Sequence, residues 1–254
     1  MTSKKIQSTF GSLQSSTCGV CGMTFYKHVQ NDKLVHAKYH NDFLNGLPWK
    51  NESGMPLRKF TMEMDQKSIQ VSILGIDRTL ARQVKKVEKL LEMVNRELSA
   101  PAANDSWKKI VRTRTKVGNE KNMVTVESSV IEGKAFVILA QSRAIGLVVT
   151  EPIEDISIQG RWMVHRTQDI VPNQVNKNIR IGISRIWIAS KWRRYGLANH
   201  LLQVVIKHSV FGMPLKPQEV AFSQPSHAGG LLAKNFNGVK HKSGEILIPV
   251  YLES

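Results

Sequence analysis

The chain has 254 residues, with 36 Lys and Arg against 20 Asp and Glu for a formal net charge of +16, and 41% of its residues are hydrophobic. That length allows one or two domains, the apolar share argues against wholesale disorder, and no apolar run approaches the roughly 20 residues of a membrane span. Met1–Lys5 leads into no apolar segment of the secretory kind, so the expectation is an intracellular protein. Its charge favours polyanions: nucleic acid, chromatin or an anionic cofactor.

In chain order, residues 1–17 are rich in Ser, Thr and Gln and read as a flexible tail. Residues 18–50 carry Cys18-x2-Cys21-x14-His36-x3-His40. Zinc takes four soft or borderline ligands in a tetrahedron, and two cysteines on a knuckle plus two histidines one helical turn apart supply them. Phe25 can plug such a module, and His28 is a fifth candidate better read as a solvated loop residue. Four protein ligands close the shell, so the metal is expected to be structural. As Cys18 and Cys21 are the only cysteines, no thiol remains as a covalent nucleophile. The module is expected to fold as a separate segment whose loss leaves ligand binding by the rest of the chain largely intact. A single finger covers about 3 bp, which suits docking or non-specific contact better than sequence-specific reading of DNA.

Residues 51–76 read as a linker or extra strands, with a short alternating stretch at Ser68–Leu74. From Thr79 to Leu98 the residues Leu80, Val84, Val87, Leu91, Val94 and Leu98 recur every three or four positions, predicting an amphipathic helix stopped by Pro101. Trp107–Lys116, with Lys108, Lys109, Arg112, Arg114 and Lys116, reads as an exposed basic loop opening an insert over about 107–130, solvated or touching DNA phosphates. Strands are expected at Lys134–Ala140, Ala144–Thr150, Gly160–His165, Ile181–Ile188, Glu219–Phe222 and Ile246–Leu252, and helices at Leu197–Phe211 and His227–Phe236. The outcome is a mixed α/β domain from about residue 77 to 254.

Within it, Arg193-x-x-Gly196-x-Ala198 follows a β-rich run and precedes the apolar face Leu197, Leu201, Leu202, Val205. Unpartnered amides at a helix N-terminus bind phosphate; Gly196 and Ala198 leave room for it, and Arg193 and Arg194 add charge. The stretch reads as a pyrophosphate cradle, and it is neither a Walker A nor a Rossmann fingerprint.

Arg-x-x-Gly-x-Ala after a strand resembles the acetyl-CoA motif of the GNAT superfamily of N-acetyltransferases. With Gly160-Arg161-Trp162-Met163-Val164, Ile181-Gly182-Ile183-Ser184-Arg185-Ile186-Trp187, Ala221-Phe222-Ser223-Gln224-Pro225, Lys240-His241-Lys242-Ser243-Gly244 and one Cys2His2 finger in front, the chain is similar to the sister-chromatid cohesion acetyltransferases, fungal members above all. The resemblance implies a GNAT-type mixed sheet flanked by helices and preceded by a small zinc-finger module. It implies a nuclear enzyme that acetylates a lysine of the cohesin SMC subunit from acetyl-CoA by direct amine attack, acting near chromatin. Ile186, Trp187 and Ile188 would pair with the pantetheine arm; Arg193, Arg194, Tyr195, Gly196, Leu197 and Ala198 would hold the pyrophosphate; Ser184, Ser223 and Gln224 would line the lysine side. Animal members carry an acid where this chain has Gln224, and an amide cannot take a proton. Glu219 acting through water, or His227, are the substitutes the sequence offers. The other reading is a non-catalytic chromatin adaptor with a degenerate GNAT fold, against which the intact glycine turn speaks. Gln7-Ser8-Thr9-Phe10 loosely resembles the start of sliding-clamp binding peptides but lacks the aromatic pair that follows.

Overall fold

The computed structural model describes residues 15–50, 53–101, 105–117 and 124–253. Gln7–Phe10 and most of the expected tail lie outside them. The short strands β1 (Ser16–Thr17) and β2 (Thr24–Phe25) pair around the Cys18–Cys21 knuckle and feed helix α1 (Gln30–Asn45). Next come β3 (Leu47–Pro48), β4 (Met55–Met64), β5 (Lys67–Gly75), α2 (Ala81–Leu98), a 3-10 turn at Asp105–Lys108, β6 (Ile110–Val117), β7 (Val124–Glu132), β8 (Lys134–Ala140) and β9 (Arg143–Pro152). The chain ends with α3 (Ile156–Gln159), β10 (Gly160–Val164), β11 (Ile170–Val175), β12 (Ile181–Ile188), a 3-10 turn at Ser190–Trp192, α4 (Leu197–His208), a 3-10 turn at Pro217–Glu219, β13 (Val220–Phe222), α5 (His227–Asn237), β14 (Val239–Lys240) and β15 (Ile246–Tyr251).

The main sheet runs β11-β10-β15-β13-β12-β9-β8-β5-β4, with β14 added to β15 and β3 to β9. Neighbours are antiparallel except β12 with β13 and β13 with β15. Three adjacent strands therefore share one direction, and their C-terminal ends open on a common edge, the usual ligand position in α/β sheets. The apolar stripe of α2 (Val87, Leu91, Val94) is buried, as are Leu201, Leu202 and Val205 of α4. Among the described residues no helix is long and apolar enough to cross a membrane.

Three features differ from the sequence reading. Residues 55–75 form a long hairpin whose second strand pairs with β8, so the sheet begins before residue 77. Its turn is carried by Asp65 and Gln66, at φ 51 and 60, without the glycine that would announce it. The basic stretch after Trp107 is strand β6, hairpin-paired with β7. Trp107 is buried, and the base is tied down by Lys108–Glu88 at 2.6 Å and Lys109–Glu154 at 3.0 Å.

The Cys/His module is joined to the sheet. Arg143, at the start of β9, pairs with Asp42 of α1 at 2.8 Å, while its Nε donates to the carbonyls of Gly46 at 2.8 Å and Asn45 at 3.1 Å. Helix α1 also packs against the turn Ser190–Trp192, and the Arg96 guanidinium of α2 lies 5.5 Å from the Tyr39 ring centre.

Candidate active site and metal centre

The ligand atoms of Cys18, Cys21, His36 and His40 all lie within 4.8 Å of one another, and Cys18 Sγ is 3.4 Å from His40 Nδ1. The knuckle closes through Gly22 N to Cys18 O and Cys18 N to Met23 O, both 2.9 Å. Backbone amides of Cys21 and Val20, then His36, hold the Cys18 thiol down at about 6, whereas burial pushes Cys21 up. His36 stacks on Phe25 at 3.9 Å, as the expected plug requires, and its Nε2 is buried without a hydrogen-bond partner. An orphaned imidazole nitrogen beside two sulfurs and a second histidine is what tetrahedral zinc satisfies, so the four residues fit the metal. His28 stands outside the cluster, edge-on to Tyr26.

The second site is built by strand divergence. Strands β12 and β13 pair over Ile181–Ile183 and Val220–Phe222, Ser223 N still reaches Ile183 O at 3.0 Å, and there the pairing stops. A bulge between Ile183 and Arg185 breaks the β12–β9 register, and from Ser184 onward β12 pairs on its β9 side alone. A cleft of about 500 Å³ opens there, lined among others by Met163, Ser184, Ile186, Ser223, Gln224 and Tyr251. The Ser223 hydroxyl donates to the Ser184 carbonyl at 3.1 Å, so two of the expected lysine-side residues are in contact. Gln224 is exposed at the mouth. Below it the Tyr251 ring crosses Gly182, where a Cβ would sit 2.5 Å from the ring, and its hydroxyl donates to the buried Glu151. Burial, then the Glu151 carboxylate, push the Tyr251 phenol well above its ordinary range, keeping it a donor.

At the far end of β12, Ile186 is half-buried, Trp187 and Ile188 are buried, and no strand pairs with the backbone facing the gap, where the Ile188 carbonyl is taken by Arg193 and the Ile186 groups can meet an extended amide-bearing chain. The chain then turns through Arg194 at φ 70 and Gly196 at φ 76 into α4, whose first N–H groups no side chain caps. The side chain of Leu197 is buried, so Leu197 and Ala198 can offer backbone, whereas Arg194 and Tyr195 are exposed. These amides can take a pyrophosphate.

Arg193 departs from expectation. Its Nε donates to Ile188 O at 2.8 Å and its Nη2 is ion-paired with Glu97 of α2. Glu97, whose side chain is 10% exposed, also accepts from Trp187 Nε1 at 2.6 Å. The guanidinium thus braces the turn, leaving Arg194 as its outward cation. Sequence reasoning missed Glu97, because 96 residues separate it from Arg193. Glu97→Gln keeps an acceptor for Trp187 and removes the negative charge that faces Arg193. Acetyl-CoA KM should rise about tenfold, the scale of a charged hydrogen bond, with acceptor KM unchanged in steady-state kinetics.

Glu219 is at the wrong end of β13. Four residues at about 3.3 Å each separate it from Ser223. Its oxygens are taken by Arg180 Nε at 2.8 Å and the Lys216 amide at 2.7 Å, beside a different surface basin. The packing of Glu219 as a cap therefore excludes it from the cleft. His227 is exposed at the start of α5.

Residues 177–247 match the family model described as ESCO1/2 acetyl-transferase, and residues 6–42 match the zinc-finger of acetyl-transferase ESCO. The chain is 47% identical over 256 aligned positions to the N-acetyltransferase ECO1 of Debaryomyces hansenii, covering 94% of this chain and 83% of that protein. It is 28% identical to the ECO1 of Saccharomyces cerevisiae, over 92% of this chain and 88% of that one. A structure of the xEco2 acetyltransferase domain bound to a K105-CoA conjugate superposes with a TM-score of 0.50 at 18% identity, covering 78% of this chain and 98% of that one. This last likeness bears on the fold.

Proposed function

Since this chain belongs to the ECO1 family of N-acetyltransferases, and is an acetyl-CoA-dependent acetyltransferase, we propose that its acceptor is a lysine of the cohesin SMC subunit, modified in the nucleus to establish sister-chromatid cohesion. The observation that carries this reading is the cleft between β12 and β13, lined by Ser184, Ile186, Ser223 and Gln224, from which β12 runs on through Ile188 to the uncapped N-terminus of α4. The pantetheine arm extends along the gap-facing edge of Ile186–Ile188, and its pyrophosphate meets the amides of residues 196–198 and Arg194. The acetyl group then stands near the bulge, with the lysine entering past Gln224.

Zinc, held by Cys18, Cys21, His36 and His40, supplies structure and no chemistry, since four protein donors leave no open position. A free lysine, with a pKa of about 10.4, is almost wholly charged at neutral pH and has to lose a proton before attacking a thioester. The Gln224 amide can accept a hydrogen bond from the ammonium but cannot take its proton. Gln224→Ala should therefore lower turnover by about tenfold or less and leave the shape of the pH–rate curve unchanged.

Mass spectrometry of purified cohesin after incubation with this protein and acetyl-CoA tests the reading. Acetyl-lysine on the SMC subunit is the expected result; acetylation confined to other proteins would overturn the choice of acceptor. No sliding-clamp contact enters this reading, as Gln7–Phe10 lies outside the described residues.

A further inference from the structure

The cleft needs a proton acceptor, and neither Gln224 nor Glu219 can serve. The geometry points to Glu253 at the end of β15 as the general base, an inference that rests on the acetyltransferase reading of the cleft. Strands β12, β13 and β15 are parallel neighbours, with Ile183 opposite Phe222 and Phe222 opposite Val250. Ser184, Ser223 and Tyr251 are consequently level, and Glu253 leaves the sheet at the same C-terminal edge as Gln224, one strand away. The acid missing at position 224 is available from the adjacent strand.

The side chain of Glu253 reaches back over that edge. Its Oε1 lies 2.9 Å from Arg185 Nη1 on β12, the same Nη1 donates to the Ser184 carbonyl at 2.6 Å, and that carbonyl accepts from the Ser223 hydroxyl at 3.1 Å. The carboxylate is therefore two hydrogen bonds from the seryl carbonyl at the bulge. Arg185 is itself fixed, its Nε donating to Asn95 Oδ1 of α2 at 2.8 Å, so Glu253 is held by an anchored partner. Its Oε2 has no hydrogen-bond partner among the described residues. With 36% of its side chain exposed, the carboxyl can also return a proton to water.

Its charged or titratable neighbours are Arg185 from β12, Tyr251 from its own strand and, beyond the phenol, Glu151 from β9. Glu151 is buried and occupied by the Tyr251 hydroxyl, so it does not compete.

The lysine ammonium gives one proton to Glu253 Oε2, breaking N–H and forming O–H. The amine attacks the thioester carbonyl carbon; C–N forms and C–S breaks with its electron pair going to sulfur. The second nitrogen proton passes through solvent to the thiolate, giving CoA–SH, and Glu253 releases its proton to water. The net products are the amide, CoA–SH and one proton.

Glu253→Gln tests this, since the amide oxygen can still accept from Arg185. With purified cohesin as acceptor, kcat/KM should fall about 100-fold, within the range of a lost general base, and the acidic limb of the pH–rate profile should flatten. Glu253→Asp should recover part of the rate with the limb restored, and calorimetry should find acetyl-CoA affinity and melting temperature unchanged in both variants. A rate within twofold of wild type, a loss that keeps the profile's shape, or a matching loss of acetyl-CoA affinity would each overturn the assignment. Because wild type runs in the same assay, its own failure to acetylate cohesin would overturn the acceptor reading together with this inference, whereas an active wild type beside an unimpaired Glu253→Gln overturns the base alone.

Discussion

Gly196→Asp should abolish measurable acetyl-CoA binding in calorimetry while the protein still folds. Gly196 sits at φ 76, and a Cβ added there would meet nothing within 4 Å, so the folding cost is the left-handed conformation alone, about 1–2 kcal/mol. Asp tolerates that conformation better than most residues. The loss of binding is electrostatic: at roughly 5 Å and an effective dielectric near 20, a new carboxylate opposes each phosphate charge by about 3 kcal/mol, enough for more than a hundredfold. Gly196→Asn carries the same strain without the charge, so it should bind far more tightly than the Asp variant and melt at a similar temperature. Equal affinities for Asp and Asn would mean that the pyrophosphate lies elsewhere.

The parts of this molecule that local pattern dictates were legible in the sequence. α2 follows from Val84, Val87, Leu91 and Val94 on one face, and it runs to Leu98 as expected. β8 and β9 follow from their apolar runs around Gln141 and Ser142, both at positive φ in the tight turn. The Cys/His cluster was legible because its ligands come from two short local segments. β4 and β11 were not, since each lies at an end of the sheet and is largely exposed, which erases the alternation a half-buried strand would show.

The site divides along the same line. The backbone features of the site lie inside the motif strings, the bulge between Ile183 and Arg185 within Ile181–Trp187 and the αL glycine within Arg193–Ala198, although neither conformation was written in them. The side-chain pairs that orient them could not be read. Glu97 meets Trp187 and Arg193 across at least 90 residues, and Arg185 meets Glu253 across 68, and no spacing rule links such positions. Arg193 shows the consequence: the motif names it as a phosphate ligand, but a carboxylate from another helix has claimed its guanidinium. Glu219 fails for a related reason, because being near in sequence to Ser223 puts it at the opposite end of a strand.

Removing the metal should reach further than the finger. Cys21→Ala deletes a ligand from a closed four-donor shell, and structural zinc contributes about 10 kcal/mol or more to modules too small to fold alone. Metal analysis should fall from one zinc per chain to near none, with the segment from Ser16 to Asn45 losing its protection in hydrogen exchange. A self-contained module would lose its own fold and nothing else. Here α1 packs against Ser190–Trp192, directly before the glycine turn into α4, and its C-terminal end is held by Arg143 of β9 through Asp42, Asn45 and Gly46. Tyr39 also lies under Arg96, next to the Glu97 that braces Arg193. Unfolding α1 strips one wall from the turn, so acetyl-CoA affinity should drop by about tenfold or more, contrary to what a separate segment predicts, while the sheet core around β8, β9 and α2 stays protected. The two effects can be dissociated. Arg143→Ala should loosen the module's attachment with zinc still bound, and if α1 acts on the cradle by packing, this variant should also weaken acetyl-CoA binding at full metal content. Undiminished affinity in both variants would make the finger a passenger on the acetyltransferase fold.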